Sequence, residues 1–433
     1  MSKNYSKKTL CIRGGYEPKI GEPMALPITQ STTFKYHDPD LVAELFNLEQ
    51  EGHMYTRISN PTVEAFEKKL AQLEGGVGAV AVSSGQSAIL LAILNICKAG
   101  EKIIASSSLY GGTYNLLNIT LRNLGIDTTF VKLDASEEEI LSLVDENTKL
   151  IYGEIIGNPG LDVFDFEKFS SVCKKANLPL VIDNTLASPY LCNPFEFGAN
   201  IVVHSTSKYI DGHAVALGGA IVDGGNFNWD NGRFSELVEP DPSYHGIKYV
   251  ESFNESAYIT KLRVSMLRDL GSCMSPFNAF LTNLGLETLH LRMEKHSNNS
   301  LELAKYLQNH EKVSWVSYPL LETQKDYDKA KVYLKNGAGG VLTFGIKSGV
   351  KEAKEFIKSL KLVDLAIHLG FNKTSVLHPA STTHSQLSEV DQIKCGVSPD
   401  LIRVSVGIED INDLINDFNQ ALEGLHKNWI NTF

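Results

Sequence analysis

Two short apolar runs in this chain end in groups that can do chemistry. Ile201-Val-Val-His-Ser-Thr-Ser-Lys208 carries an amine just beyond a β-branched stretch, and Val181-Ile-Asp183-Asn-Thr185 carries a carboxylate in the same relation. Such runs read as buried strands, so both groups are delivered to a sheet edge. Each alone has an ordinary explanation, a solvated lysine or a helix-capping aspartate. As a pair they match what pyridoxal phosphate requires: a lysine for the Schiff base and an acid beside the pyridinium nitrogen.

Other residues suit the same ligand. Ser83-Ser84-Gly85-Gln86-Ser87 joins a strand to a helix, where glycine lets the backbone approach a phosphate and the free amides of the helix start face an anion. Read alone it is also an ordinary strand–helix turn. Ser205 and Ser207 flank Lys208 with hydroxyls that can complete a phosphate cup. Tyr110, in Leu109-Tyr-Gly-Gly-Thr113, follows another strand and can stack on a pyridine ring or stand as a rim aromatic.

Arg403 sits among Ile402, Val404 and Val406. An arginine in an apolar strand needs an anionic partner, and its planar fork suits a carboxylate. That partner is a ligand or an internal acid, with Glu409 and Asp410 at hand. Asn158, in Gly157-Asn-Pro159, is a candidate partner for it and for the ring hydroxyl of the cofactor, and also a simple turn signal. His378 and His384 read as loop residues and not metal ligands, because no cysteine or carboxylate joins them at ligand spacing.

The elements that must position these groups follow from periodicity. Strands are predicted at 79–82, 102–105, 128–133, 150–156, 178–182, 201–204 and 219–222, with helices at 87–96, 114–124 and 136–143 between the first of them. Short apolar strands alternating with helices predict an α/β class with a mostly parallel sheet covered on both faces, whose ligands lie at the carboxyl ends of the strands. Before it, residues 1–62 are punctuated by Pro18, Pro23, Pro27, Pro39 and Pro61, and only 40–50 reads as helix. A helix with Val63, Phe66, Leu70 and Leu73 on one face then runs to Gly75. Residues 223–254 read as a surface excursion. Beyond it a long helix over 276–310, broken near Gly285, leads to strands at 341–346 and 402–406, with helices at 351–360 and 410–427. This last part predicts a smaller C-terminal α/β domain.

Composition narrows the function classes. Acids outnumber bases by 51 to 40 in 433 residues, for a net charge of −11, which argues against a nucleic-acid or anionic-membrane partner. The start, Met1-Ser-Lys-Asn-Tyr-Ser-Lys-Lys, lacks the apolar core of a secretory signal. No apolar run reaches the roughly 20 residues a membrane helix needs. Six cysteines (Cys11, Cys97, Cys173, Cys192, Cys273 and Cys395) are scattered without paired spacing. They read as thiols in a reducing compartment, so a cytoplasmic location is expected.

Met54-Tyr-Thr-Arg-Ile-Ser-Asn-Pro-Thr62, Ser84-Gly85, Leu109-Tyr-Gly-Gly112, Val181-Ile-Asp-Asn-Thr185, Ser205-Thr-Ser-Lys208, His378-Pro-Ala-Ser381 and Ile402-Arg-Val-Ser-Val-Gly-Ile-Glu409 occur in this order. The set resembles the cysteine and methionine metabolism family of pyridoxal-phosphate enzymes over nearly the whole chain. Within that family the resemblance is greatest to the O-acetylhomoserine sulfhydrylases, through Ser106-Ser-Ser-Leu-Tyr-Gly-Gly-Thr-Tyr-Asn115, Val238-Glu-Pro-Asp-Pro-Ser-Tyr-His-Gly246 and His378-Pro-Ala-Ser-Thr-Thr-His-Ser-Gln386.

The resemblance implies fold type I, the aspartate aminotransferase-like fold of these transferases. It divides the chain into an arm (1–62), a cofactor-binding domain (63–284) and a C-terminal domain (285–433). It implies that Lys208 holds the cofactor, Asp183 its ring nitrogen and Tyr110 its ring face. Gly85 and Gln86 amides and Ser205 and Ser207 hydroxyls hold its phosphate. Arg403 and Asn158 then hold the substrate carboxylate, and Tyr55 and Arg57 reach the phosphate of a neighbouring subunit in a homotetramer. Lys208 and Tyr110 are the implied catalytic groups. The implied reaction is γ-replacement on O-acetylhomoserine by sulfide or a thiol. A γ-lyase, an O-succinylhomoserine enzyme and a non-catalytic relative are the alternatives. Two departures bear on the choice: Gly112 stands where methionine γ-lyases carry cysteine, and His368 and Phe371 stand where sulfhydrylases carry asparagine and aspartate.

Overall fold

The computed structural model describes residues 5–347, 349–383, 385, 392 and 396–425. His384, Cys395 and the last two positions of the predicted 410–427 helix lie outside them.

A seven-stranded sheet occupies the first part. Its strands are β1 (Gly78–Val82), β2 (Lys102–Ser106), β3 (Asp127–Val131), β4 (Thr148–Glu154), β5 (Leu180–Asp183), β6 (Ile201–His204) and β7 (Gly219–Asp223). They lie in the order β1-β7-β6-β5-β4-β2-β3, and only β7 runs against its neighbours. The period of two in side-chain direction divides the strand residues between two cores. Ile103, Leu150, Tyr152, Val181, Ile201 and Val203 pack on one face. Ile104, Ile151, Ile182 and Val202 pack on the other. With both faces covered, the strands read as continuous apolar runs, as the mostly parallel sheet predicted from sequence requires.

Two helices of the first part bear directly on the site. The helix Pro61–Glu74 starts at Asn60, whose side chain accepts from the Thr62 amide, and stops at left-handed Gly75. The helix Gly85–Leu94 is capped by Ser84, whose hydroxyl accepts from the Ser87 amide.

The arm holds two helices, not one. Pro39–Phe46 was foreseen, but Lys7–Arg13 was hidden because it is short and of its three apolar residues, Leu10, Cys11 and exposed Ile12, only Cys11 is fully buried. Phe166–Ala176 also escaped the pattern, although Asp165 caps it and Phe166, Phe169, Val172 and Cys173 face the core. Helical turns over 257–270 were likewise missed, as was strand β8 (Val313–Ser317), whose alternating polar residues lower its apolar signal. The predicted break in the long helix falls at Thr288, between Pro276–Glu287 and Leu289–Gln308. Gly285 has a different purpose: a Cβ there would come 2.3 Å from the Asp211 carbonyl.

A second sheet has β8, β9 (Val341–Ile346), β10 (Asp364–Leu365), β11 (Ser375–Leu377) and β12 (Leu401–Ser405), in the order β10-β11-β12-β9-β8. Val350–Ser359 and Ile411–Gly424 cover it through Phe344, Phe356 and Phe418, whose ring centroids lie 5.5–6.2 Å apart. No helix among the described residues is long and apolar enough to cross a membrane.

Candidate active site

The strand parity fixes what reaches the cavity. Asp183 shares its face with Val181, and Glu154 shares its face with Tyr152, so the two carboxyls stand side by side at the carboxyl ends of β5 and β4. His204 takes the opposite face, where its Nε2 lies 2.6 Å from Glu74 Oε1 in full burial. The loop after β6 turns back toward Gly218 and brings Lys208 in line with Asp183.

One cavity of about 270 Å³ is lined by Gly85, Gln86, Tyr110, Asn158, Asp183, Ser205, Ser207, Lys208 and Arg403. Nine residues picked from separated motifs therefore meet in one place. Glu154, Thr185 and His368 also line it. Glu154 carried a readable signal, an acid near the end of an apolar parallel strand. Thr185 carried none beyond its place after Asp183.

The cradle side is tightly bonded. Asp183 Oδ1 accepts from the Thr185 amide at 2.9 Å, and the Tyr152 hydroxyl lies 3.5 Å from Oδ2. Thr185 Oγ1 in turn accepts from the Ser205 amide at 2.8 Å. Ser207 Oγ accepts from the Gly218 amide at 2.9 Å and donates to the Gly218 carbonyl, so this hydroxyl pins the lysine loop. Glu154 Oε1 accepts from the Tyr110 amide at 2.8 Å and sets the start of the helix beyond Tyr110.

Burial pushes the Asp183 and Glu154 carboxyls above their usual range, and the charge of Asp183 raises Glu154 further. Neither forms an ion pair among the described residues. Half-buried Asp183 and buried Glu154, with no paired cation among the described residues, fit a ligand that brings a protonated ring nitrogen. Lys208 fits as well. Burial, then the charge of Arg403, push its amine down to about 8, which makes it a nucleophile near neutral pH. At Gly85 a Cβ would lie 2.6 Å from Ser205 Cβ, so the helix start and the lysine loop approach as closely as a backbone phosphate cradle needs. These features fit pyridoxal phosphate.

The opposite wall differs. Arg403 is buried and makes long contacts, 3.4 Å from Nη1 to Asn158 Oδ1 and 3.5 Å from Nη2 to the Ile367 carbonyl. The internal acids are engaged elsewhere. Glu409 accepts from the Thr374 amide and hydroxyl at 2.6 and 2.8 Å, and Asp410 accepts from the Asn412 amide. Arg403 thus has no carboxylate partner among the described residues, and burial brings it down to about 10.

Tyr55 and Arg57 do not line the cavity of their own chain. Tyr55 is exposed, the Arg57 guanidinium lies 5.3 Å from its ring, and Arg57 donates to the Arg268 carbonyl. His378 lies in a loop, with Nδ1 2.8 Å from Ser381 Oγ and Nε2 2.8 Å from the Pro399 carbonyl. No metal-holding group of side chains occurs among the described residues.

Fold and cavity together define a lysine-dependent pyridoxal-phosphate site at the edge of a parallel sheet. The family model for Cys/Met metabolism PLP-dependent enzymes matches residues 8–423, and the chain belongs to that family. An O-acetyl-L-homoserine sulfhydrylase of Leptospira meyeri is 48% identical over 98% of both chains. A homocysteine synthase of Schizosaccharomyces pombe is 47% identical over 96% of this chain and 98% of its own. A solved O-acetylhomoserine (thiol)-lyase from Campylobacter jejuni, which carries a pyridoxyl-lysine, superposes with a TM-score of 0.93 at 37% identity over 97% of this chain and 100% of that one.

Proposed function

We propose that the chain catalyses γ-replacement on O-acetyl-L-homoserine, in which sulfide or a thiol displaces acetate to give L-homocysteine or its thioether. The observation that carries this reading is Arg403, a buried guanidinium with no acid partner among the described residues, on the wall of the cavity that holds Lys208. A small amino acid with a free carboxylate supplies what that guanidinium lacks. The names of the relatives support the homoserine ester and the sulfur nucleophile.

Bound pyridoxal phosphate supplies the electron sink for a negative charge at the substrate Cα. In this reading Asp183 holds the ring nitrogen, Tyr110 covers the ring, and the Gly85 and Gln86 amides with Ser205 hold the phosphate. Ser207 contributes by fixing the lysine loop. Lys208 takes a proton from Cα and then a second from Cβ before acetate leaves, and returns protons to both carbons once sulfide has added, since one flexible amine reaches both. Arg403 with Asn158 holds the substrate carboxylate and so orients the Cα–H bond. Tyr110 serves as a second acid or base. Acetate leaves from Cγ and sulfide enters at the same carbon.

The arm, the cofactor domain and the C-terminal domain keep the boundaries 1–62, 63–284 and 285–433 in this reading. Exposed Tyr55 and half-buried Arg57 complete the phosphate site of a neighbouring subunit, in a homotetramer working in the cytoplasm. The test is incubation with O-acetylhomoserine, with and without sulfide. Sulfide-dependent homocysteine with little 2-oxobutanoate is expected. Equal keto acid without sulfide would replace the reading with a γ-lyase, and turnover of O-succinylhomoserine alone would replace the ester.

A further inference from the structure

His368 lines the cavity and its Nδ1 lies 3.1 Å from Lys208 Nζ. We propose that His368 is a positioning residue for Lys208: its imidazole accepts a hydrogen bond from the amine, fixes the place of Nζ and sets the pH at which that nitrogen becomes a free base. The inference rests on the proposed function for its turnover readout only.

The contact is built by the backbone. Gly370 has φ +78°, and a Cβ there would come 3.0 Å from the Tyr209 amide and 3.2 Å from Lys208 Cβ, so the 367–372 loop lies directly on the lysine segment. Three bonds hold that loop in place: Gly370 N to Ser405 Oγ at 2.9 Å, Asn372 N to the Gly212 carbonyl at 3.1 Å, and Ile408 N to the Asn372 carbonyl at 2.9 Å. Phe371 supports the imidazole from the side, with ring centroids 5.3 Å apart. The ring is therefore placed by its surroundings and not by the lysine alone.

Its chemistry suits an acceptor. Burial, then the Lys208 charge, push His368 down to about 4, so the ring is neutral whenever Lys208 carries its proton at neutral pH. A neutral nitrogen accepting from an ammonium favours the charged amine. The other ring nitrogen, Nε2, is buried with no partner among the described residues. The charged or titratable groups facing the pair are Arg403 on β12 and Asp211 in the turn beyond Lys208. Asp183, Glu154 and Tyr110 face it across the cavity.

The test compares wild type, His368→Ala and His368→Asn as full-length chains. After removal of the cofactor, uptake of pyridoxal phosphate is followed by visible absorbance from neutral to alkaline pH. Losing one charge-assisted bond lowers the Lys208 midpoint, so the uptake curve of His368→Ala is expected to move down by about one pH unit. His368→Asn, which keeps an acceptor oxygen, is expected to restore part of the shift. With the cofactor bound, kcat is expected to fall about tenfold to a hundredfold in His368→Ala, with KM changed less than about threefold. An unmoved uptake midpoint in both variants overturns the proposal, and so does a KM effect without a kcat effect. If His368→Ala does not fold, the midpoint of His368→Asn decides alone. Uptake needs no homoserine ester, so failure of the proposed reaction leaves this readout intact.

Discussion

The two walls of the cavity are built in opposite ways. On the wall formed by the first sheet, polar atoms close on one another: Asp183 with Thr185, Thr185 with Ser205, and Ser207 with Gly218. On the wall formed by the second sheet they are left underused. Arg403 has contacts of 3.4 and 3.5 Å, His368 Nε2 has no partner among the described residues, and Ile367 is 73% exposed. A wall whose hydroxyls and amides fix one another, leaving only the acids Asp183 and Glu154 for a ligand, suits a group held through every turnover. A wall with spare donors suits a ligand that comes and goes, because its bonds are completed only on binding.

The comparison breaks most sharply at Lys208, which belongs to the first wall but serves both. Lys208→Ala is expected to lower kcat at least about 10³-fold and to remove the visible absorbance of the lysine-bound cofactor. Retained absorbance would move the assignment elsewhere. Asp183→Asn is next, with about a tenfold to hundredfold loss in kcat for one charge-assisted bond and weaker cofactor binding in a direct titration. Gly85→Ala sharpens the picture by loading the first wall alone. Its Cβ would sit 2.6 Å from Ser205 Cβ, so about 1–3 kcal/mol of overpacking is expected to raise the cofactor Kd roughly tenfold while the ester KM stays near wild type.

The last effect is on stability, not on turnover, and strikes the second wall. Burial pushes His296 down to about 4, and its Nδ1–H donates to the Val406 carbonyl just beyond β12 at 2.7 Å. The unfolded chain, with an ordinary imidazole near pH ~6.5, takes up its proton first as the pH falls. This stabilisation is complete above that value and is lost as the pH drops toward about 4, up to roughly 3 kcal/mol in all. Urea unfolding midpoints should fall across that window, and His296→Gln should flatten the fall. Equal slopes in both proteins would remove His296 from the account.

How much of this was legible in the sequence differs by wall as well. The first wall is made of strand ends, and β-branched runs ending in Asp183 and Lys208 announce both the strand and the group it delivers. Arg403 was legible for the same reason, as a charge in an apolar strand, yet the sequence left Glu409 open as its partner. Only the fold shows Glu409 committed to Thr374. The His368 contact was not legible as a bond, because it depends on Gly370 bringing a loop from 160 residues away onto the lysine backbone. The missed helices over Lys7–Arg13 and Phe166–Ala176 were short and amphipathic, with charged faces that diluted the apolar signal.

Arg403→Lys measures the central claim most directly, since lysine keeps the charge and loses the planar fork. Cofactor affinity and O-acetylhomoserine KM are determined on the same preparation. The account predicts cofactor affinity within about twofold of wild type and an ester KM raised about tenfold to a hundredfold. A parallel loss of both, or an unchanged KM, would contradict the division of the cavity into a cofactor wall and a substrate wall.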